Sequence, residues 1–391
     1  MKDNHNYLFP ERRGSDCSKY DNLRERFGRD DILPMWVADA DYSAPPAVVE
    51  AIRKRAEHPV YGYTIYSERF FDAIVKWYER NFSYPLHRKW IVPAHGVVLS
   101  INLCIEAYTK RGDGIIVQTP IYPPFISSVK RHGRKVLENR LLYERGRYSI
   151  DFDDLEKKAS EARMLLLCSP HNPSTRAFDE EELRAIVDIA VRHGLLIVSD
   201  EIHSDLVFEK RHIPIAKLEG AGDISVTLHA PSKTFNIAGL NTSYAIIEND
   251  SLRRAYVLQQ EKAGFDNGNC FGIEALTAAY EKGDEWLREI RRLVRKNMMK
   301  VIEFFREREY GIEAVIPEAT FLLWLDCRAT GMDDEELQDF FTNKALIALN
   351  SGISFTKAGS GFMRLNVGTS EEMVDEALRR IEKAFGEYGR R

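Results

Sequence analysis

In SVTLHAPSKTFNIAGL (residues 225–240), an apolar pattern over residues 225–228 reads as a strand and runs into a loop of small and polar residues carrying Lys233. The same arrangement recurs on both sides of it. Residues 195–199 lead into the acidic segment SDEIHSDL, and residues 164–168 lead into CSPHNPSTRAF. Residues 114–118 and 244–247 are further strand candidates. These runs are almost continuously apolar instead of alternating, which is the pattern of strands covered on both faces. Helical patterns separate several of them, such as residues 179–193, which open on a capping Asp and are followed by Gly194. Strands alternating with helices in this way predict a mainly parallel sheet between helical layers.

Past residue 283 the pattern changes. A long charged amphipathic stretch (284–309) precedes short strand patterns near 314–316, 321–326 and 363–366, with helical patterns at 333–344 and 371–387. This is an α+β unit, and the first ~45 residues, which carry no strand series, are expected to pack with it. The expected division is therefore a large α/β domain over residues 46–283 and a small domain from 1–45 plus 284–391. A chain of 391 residues is long enough for two or three cores at roughly 150 residues each.

Composition excludes several classes. Lys and Arg number 55 against 60 Asp and Glu, a formal charge of −5, so coating nucleic acid or an anionic membrane is not expected. No apolar run approaches the ~18 residues of a membrane span, and the start MKDNHNYLFPERRG lacks a signal-type apolar stretch. The five cysteines are scattered without a CxxC pair, which reads as reduced thiols in a cytoplasmic protein and not as a metal site.

Four loops could carry chemistry. A lysine amine such as that of Lys233 is the group that holds an aldehyde cofactor reversibly and then moves a proton, although a loop lysine alone is ordinarily a solvated charge. Asp200 stands at a strand's carboxyl end, where open α/β sheets gather ligand groups, and where an Asp can equally cap the next turn. Asn172 lies between Pro170 and Pro173, which fix its backbone; taken singly it is a rigid turn. Gly96 and the amides of Val97 and Val98 open a helical pattern, a ready phosphate cradle that most such starts do not use.

Together, the order AHGVV, TPIYPPF, HNP, DEIH, SKTFNIAGL, FMRLNVG resembles the pyridoxal-phosphate enzymes of aminotransferase class I/II, fold type I, over essentially the whole chain. MWVADADY (35–42), GYT (62–64), CSPHNP, DEIHSDL and SKTFNIAGL are similar to the MalY/PatB-type branch of cystathionine β-lyases and C–S lyases. The resemblance implies a three-layer α/β/α cofactor domain with a smaller α+β domain, pyridoxal 5'-phosphate as cofactor, and no metal. It implies that Lys233 is the Schiff-base lysine and that Asp200 pairs with the pyridine nitrogen. Asn172 would bond the ring hydroxyl oxygen, and Tyr122 would stack on the ring. Gly96, Val97, Val98, the Ser232 hydroxyl and Tyr63 of a neighbouring subunit would hold the phosphate, Tyr63 matching that position better than Tyr61, which reads as a core residue. That last group implies a homodimer with composite sites. Arg364 would fork onto the substrate carboxylate, with Asn172 and Tyr122 beside it.

Some positions depart from the wider pattern. His203 stands where aminotransferases place a tyrosine and is read as a cofactor-binding mark of the lyase branch, a packed histidine being the plain alternative. Asn241 replaces a phosphate-binding arginine, and Ala230 replaces a residue that often offers a hydroxyl. Thr175 follows HNP-Ser where a glycine is usual, which asks a β-branched residue for a backbone that glycine adopts more easily. The activity implied is β-elimination from cystathionine or a related cysteine S-conjugate, a sulfur-containing amino-acid substrate. The alternatives are an aminotransferase on the same scaffold and a catalytically silent regulator that keeps the fold.

Overall fold

Successive side chains of a strand point to opposite faces, so an unbroken apolar run feeds two cores at once. In the computed structural model, which describes residues 8–265 and 267–388, the large sheet is built that way. Residues 1–7 and 389–391 of the expected small domain, and Asp266 of the large one, lie outside the described residues. The strands are β1 (Ile91–Ala94), β2 (Gly114–Thr119), β3 (Lys135–Arg140), β4 (Ala162–Cys168), β5 (Leu196–Asp200), β6 (Ser225–His229) and β7 (Ser243–Ile246). Their order in space is β1-β7-β6-β5-β4-β2-β3. Pairing is parallel from β6 to β3, and β7 runs antiparallel to both β6 and β1.

Ile115, Val117, Met164, Leu166 and Val198 enter the core on one face, under the helix Val97–Tyr108. Ile116, Leu165, Leu167 and Ile197 enter the other, under the helix Glu180–His193. That second helix has a full capping box: the Asp179 carboxylate accepts from the Glu182 amide at 2.9 Å, and Glu182 accepts from the Asp179 amide at 2.9 Å. The expected three-layer α/β/α arrangement is the observed one.

Two strands of the large sheet escape the sequence reading for physical reasons. Pro93 interrupts β1, and a proline is tolerated only because β1 is the sheet's edge. β3, at the other edge, is mostly polar and exposes both its ends. In the C-terminal region, β8 (Glu313–Ala314), β9 (Leu322–Asp326), β10 (Asn350–Ser351) and β11 (Phe362–Asn366) form an antiparallel sheet in the order β8-β9-β11-β10. β8 is shorter than the expected 314–316: the Val315 amide still donates to the Trp324 carbonyl at 2.9 Å, but Pro317, the next donor position in register, has no N–H. The helical pattern at 333–344 is an α-helix over Asp334–Asp339, capped by Asp333, that ends in a π turn over Phe340–Lys344. Among the described residues no helix is long and apolar enough to cross a membrane.

The N-terminal segment ties itself to the C-terminal region. Leu33 and Pro34 pair in parallel with Ile347 and Ala348 as a separate two-stranded ladder. The Asn366 amide donates to the Met35 carbonyl at 3.0 Å, and the Asp41 amide to the Gly368 carbonyl at 2.8 Å. Lys19, fully buried, meets Asp41 at 2.9 Å, and Arg12 bridges Asp39 and Asp41 at 2.9 and 2.8 Å. Residues 35–42 are thereby strapped over the carboxyl ends of the large sheet.

Between β10 and β11, Gly352 and Gly359 bring two backbones together. A Cβ on Gly359 would stand 2.2 Å from the Gly352 carbonyl oxygen and 3.3 Å from the Trp324 ring. The turn they close carries Phe355, whose carbonyl accepts the Ile121 amide at 2.9 Å and whose ring lies 4.8 Å from the Arg364 guanidinium carbon. Gly359→Ala is expected to lower the unfolding free energy by roughly 1–3 kcal/mol through overpacking. Urea denaturation measures it, and an unchanged midpoint would show that the turn opens freely.

Candidate active site

Three parallel strands end side by side, and each delivers a functional group at its carboxyl end. β4 ends at Cys168 before the Asn172 loop, β5 ends on Asp200, and β6 leads into the Lys233 turn. They border a cleft of about 360 Å³ whose walls include Gly96, Val97, Val98, Tyr122, Asn172, Asp200, His203, Ser232 and Lys233. The structure therefore brings together nine of the residues singled out in the sequence. Arg364 approaches from β11: its Nη1 donates to Asn172 Oδ1 at 3.2 Å and its Nη2 to the Trp36 carbonyl at 2.9 Å, while its Nε is buried without a partner.

Burial dominates the electrostatics. Asp200 is buried, one oxygen accepting the Ile202 amide at 3.0 Å, and desolvation pushes its pKa up to about 7 against the pull of that bond and of Lys233. Desolvation likewise lowers the pKa of Lys233, opposed chiefly by Asp39, so the amine is shifted toward its neutral form. Lys233 Nζ donates to the Ala38 carbonyl at 2.6 Å. Burial also holds His203 down to about 3, a neutral imidazole whose Nδ1 is buried without a partner and whose ring packs edge-on to Phe321. Arg364 falls to about 10, again through burial.

The helix Val97–Tyr108 begins at Gly96, whose φ of +102° suits glycine alone and whose missing side chain leaves open space. The Gly96 amide is engaged by Ser243 Oγ at 2.7 Å. The amides of Val97 and Val98, in the first turn, have no intrahelical acceptor and lie at the cleft wall. Tyr122 is tied to the HNP loop by its amide, which donates to the Asn172 carbonyl at 3.2 Å. Thr175 takes the left-handed conformation, φ +61°. Its amide bonds the His171 carbonyl at 2.8 Å, and its carbonyl accepts the amides of Glu318 and Ala319 at 3.2 and 3.0 Å.

Tyr63 stands apart from the cleft with 95% of its surface exposed, in a segment that also exposes Val60 and Ile65. Tyr61, read from the sequence as a core residue, is exposed instead; its hydroxyl donates to the Ala56 carbonyl at 3.0 Å and its ring packs against Phe271 and Arg55. Sequence reasoning missed the strap. MWVADADY was visible as a motif, yet its role lies in the backbone carbonyls of Trp36 and Ala38, which no side-chain pattern reveals. His95, whose buried Nε2 has no partner, and Thr242 were also missed.

The model of the aminotransferase class I and II family matches residues 31–381. The cystathionine beta-lyase PatB of Bacillus subtilis is 41% identical over 380 residues, covering 96% of this chain and 98% of its own. Cystalysin from Treponema denticola, a structure containing a pyridoxal 5'-phosphate cofactor, superposes with a TM-score of 0.94 at 33% identity, covering 97% of this chain and 98% of its own. A PLP-bound putative aminotransferase from Clostridium difficile superposes with a TM-score of 0.95 at 35% identity, covering 97% and 99%.

The buried Asp200 makes a prediction for the ligand-free protein. Its folded pKa of about 7 lies above the ordinary 3.8. At low pH both folded and unfolded chains keep the proton, so Asp200 costs nothing. As pH rises to about 7 the unfolded chain loses a proton that the folded chain keeps, and stability falls by up to about 4 kcal/mol. Asp200→Asn should therefore raise the unfolding midpoint at pH 8, with the advantage shrinking steadily toward pH 5. A pH-independent difference in a thermal-shift series would refute this origin.

Proposed function

The chain belongs to the aminotransferase class I and II family, and from that membership we propose that it is a pyridoxal-phosphate-dependent C–S β-lyase. It cleaves cystathionine or a related cysteine S-conjugate to a thiol, pyruvate and ammonia. The observation that carries this reading is the convergence on one cleft of a desolvated amine (Lys233) and a buried carboxylate (Asp200), with an arginine of unpartnered Nε (Arg364) bonded to Asn172 in the cleft wall. Likeness to PatB and cystalysin favours the lyase over the aminotransferase.

The residues present fit the cofactor. A carboxylate desolvated as Asp200 is calls for a cationic partner, and a protonated pyridine nitrogen is one. The helix start at Val97 and Val98 suits a phosphate, with the Ser232 hydroxyl beside it. Tyr122 offers a ring face, and Asn172 an amide to the ring hydroxyl. His203, neutral, presents an unused nitrogen. When bound, the pyridoxal ring supplies an electron sink for the substrate carbon that bears the amino group.

The chain's own residues do the rest. Arg364 orients the substrate by its carboxylate, a bidentate task that suits a guanidinium. Lys233 Nζ, lowered in basicity by burial, is able to accept the α-proton and hand it on. Asp200 holds charge opposite the ring nitrogen, and the strap over residues 35–42 limits water above it. A thiolate is a weak base and leaves the β-carbon without a second proton transfer from the protein, whereas amino transfer needs a second substrate. In this reading residues 46–283 hold the cofactor, and 1–45 with 284–391 bring Arg364 to the substrate. Five free cysteines accord with a reducing cytoplasmic setting.

The working form in this reading is a homodimer. Val60, Tyr61, Tyr63 and Ile65 form an exposed apolar ribbon, a patch that soluble chains ordinarily cover. Tyr63 from that ribbon completes the partner's phosphate site.

Two experiments test these statements. With L-cystathionine, pyruvate and ammonia should appear at a rate that added 2-oxoglutarate does not change, and Lys233→Ala should abolish both turnover and the absorbance of bound cofactor. Turnover that depends on a keto acid and releases no ammonia would replace the lyase with an aminotransferase. Sedimentation should give a dimer, and Tyr63→Phe should speed cofactor loss on gel filtration roughly tenfold, the worth of one bond to a charged group. An active monomer would sink the shared site.

A further inference from the structure

Asp205, the last acid of DEIHSDL, has no part in the chemistry above, yet its side chain is almost wholly buried. It sits in the short turn Ser204–Leu206, directly after Asp200 and His203. One oxygen accepts Trp77 Nε1 at 3.0 Å and the other accepts the Thr234 hydroxyl at 2.8 Å. Thr234 is the residue after Lys233, and both it and Phe235 are fully buried. Trp77, on the helix Glu68–Phe82, stacks on Tyr280 with ring centres 4.7 Å apart and meets Phe235 edge-on.

Two simpler roles fail. An Asp that caps a turn accepts a backbone amide, whereas the donors to Asp205 are side chains. Ser204, His229 and Asp205 suggest a nucleophile relay, but the Ser204 hydroxyl at 2.6 Å and Asp205 at 3.7 Å address the same ring nitrogen, Nε2. The carboxylate therefore cannot orient that imidazole toward the serine, and all three residues are buried. What remains is a tie between two loops. The turn that carries Asp200 is fastened to the turn that carries Lys233, and both are fastened to a helix clamped by aromatic packing. An apolar contact would join the same elements without desolvating a carboxylate, but it would not fix their spacing along one direction.

We infer that Asp205 is a positioning residue for Lys233: through the Thr234 hydroxyl it sets the place of the lysine amine relative to Asp200. Its catalytic consequence rests on the cofactor reading above, whereas the tie itself can be tested without cofactor. Misplacing a reacting group by about 1 Å costs on the order of a hundredfold in rate. Thr234→Val keeps the shape and removes the hydroxyl; Thr234→Ser keeps the hydroxyl.

The test is reductive methylation of the full-length, cofactor-free protein with formaldehyde and cyanoborohydride, read peptide by peptide by mass spectrometry. Lys19, fully buried and paired with Asp41, is the internal reference for general loosening. In Thr234→Val the rate at Lys233 relative to Lys19 should change at least fivefold, and in Thr234→Ser it should match the wild type. In the enzyme loaded with pyridoxal phosphate, Thr234→Val should lose tenfold or more in kcat with little change in KM. Asp205→Asn, which retains one acceptor oxygen, should shift the same ratio and replaces Thr234→Val if that variant does not fold. An unchanged ratio, or a Thr234→Ser protein that behaves like Thr234→Val, overturns the inference. A wild-type protein that takes up no cofactor refutes the cofactor reading, while the methylation ratio still decides the tie.

Discussion

Desolvation of an amine and a carboxylate in one cleft is the constraint on which the rest of the structure depends. An isolated buried charge costs several kcal/mol even after relaxation, so a site that buries Asp200 and half-buries Lys233 must be held open by something stiff. The stiff element is the large sheet, packed with apolar side chains on both faces. A strand buried on both sides cannot slide without moving two cores, so loops leaving β4, β5 and β6 begin from fixed points. The same burial that threatens stability shifts Lys233 toward neutral and Asp200 toward protonated. Each is thereby left seeking a complementary group, which is how a ligand-binding pair differs from a structural ion pair.

What could be read from the chain follows from where the information is local. Apolar runs, the capping Asp179 and Gly194 announce their elements within a few residues, and Asp200, Asn172 and Lys233 come with them because they sit at strand ends. β1 and β3 are edge strands, and the edge is what permits a proline in one and a mostly polar sequence in the other. Neither permission is visible before the strand order is known. The strap was visible as MWVADADY but not as a wall, since its working atoms are backbone carbonyls that meet Lys233, Arg364 and Asn366 hundreds of residues away. Tyr61 misled because an aromatic residue ordinarily reads as core, and nothing local says that this one stays outside.

The strap is clamped from both sheets, which makes it part of the site instead of a loose lid. Asn236, three residues past Lys233, donates to the carbonyls of Ala40 at 3.1 Å and Tyr42 at 2.6 Å and accepts the Ala40 amide at 3.2 Å. Asn366, two residues past Arg364, donates to the carbonyls of Val37 and Asp39, both at 2.6 Å. Asparagine suits this work because one side chain supplies both donor and acceptor to a passing backbone. The segment therefore follows the lysine turn and the arginine strand together, and neither cation moves without it.

That coupling turns substrate binding into an exchange of acceptors. Arg364 now gives its donors to two neutral oxygens, Asn172 Oδ1 and the Trp36 carbonyl, while Nε goes unpartnered. A substrate carboxylate offers charge-assisted bonds roughly twice as strong as neutral ones, and it also compensates a guanidinium whose basicity burial has lowered. The exchange therefore favours the substrate even though two existing bonds must yield. The Trp36 carbonyl that Arg364 releases, and the Ala38 carbonyl that Lys233 releases when its amine turns to the substrate, belong to the same strap. The Trp36 carbonyl also accepts the Asn350 side-chain amide and so keeps a donor when Arg364 turns away, whereas the Ala38 carbonyl lies at the cleft wall, where water or substrate can reach it. Recognition of the amino-acid end of a substrate thus draws a donor from each of two strap carbonyls, and Asn350 keeps the one at Trp36 anchored while it does so.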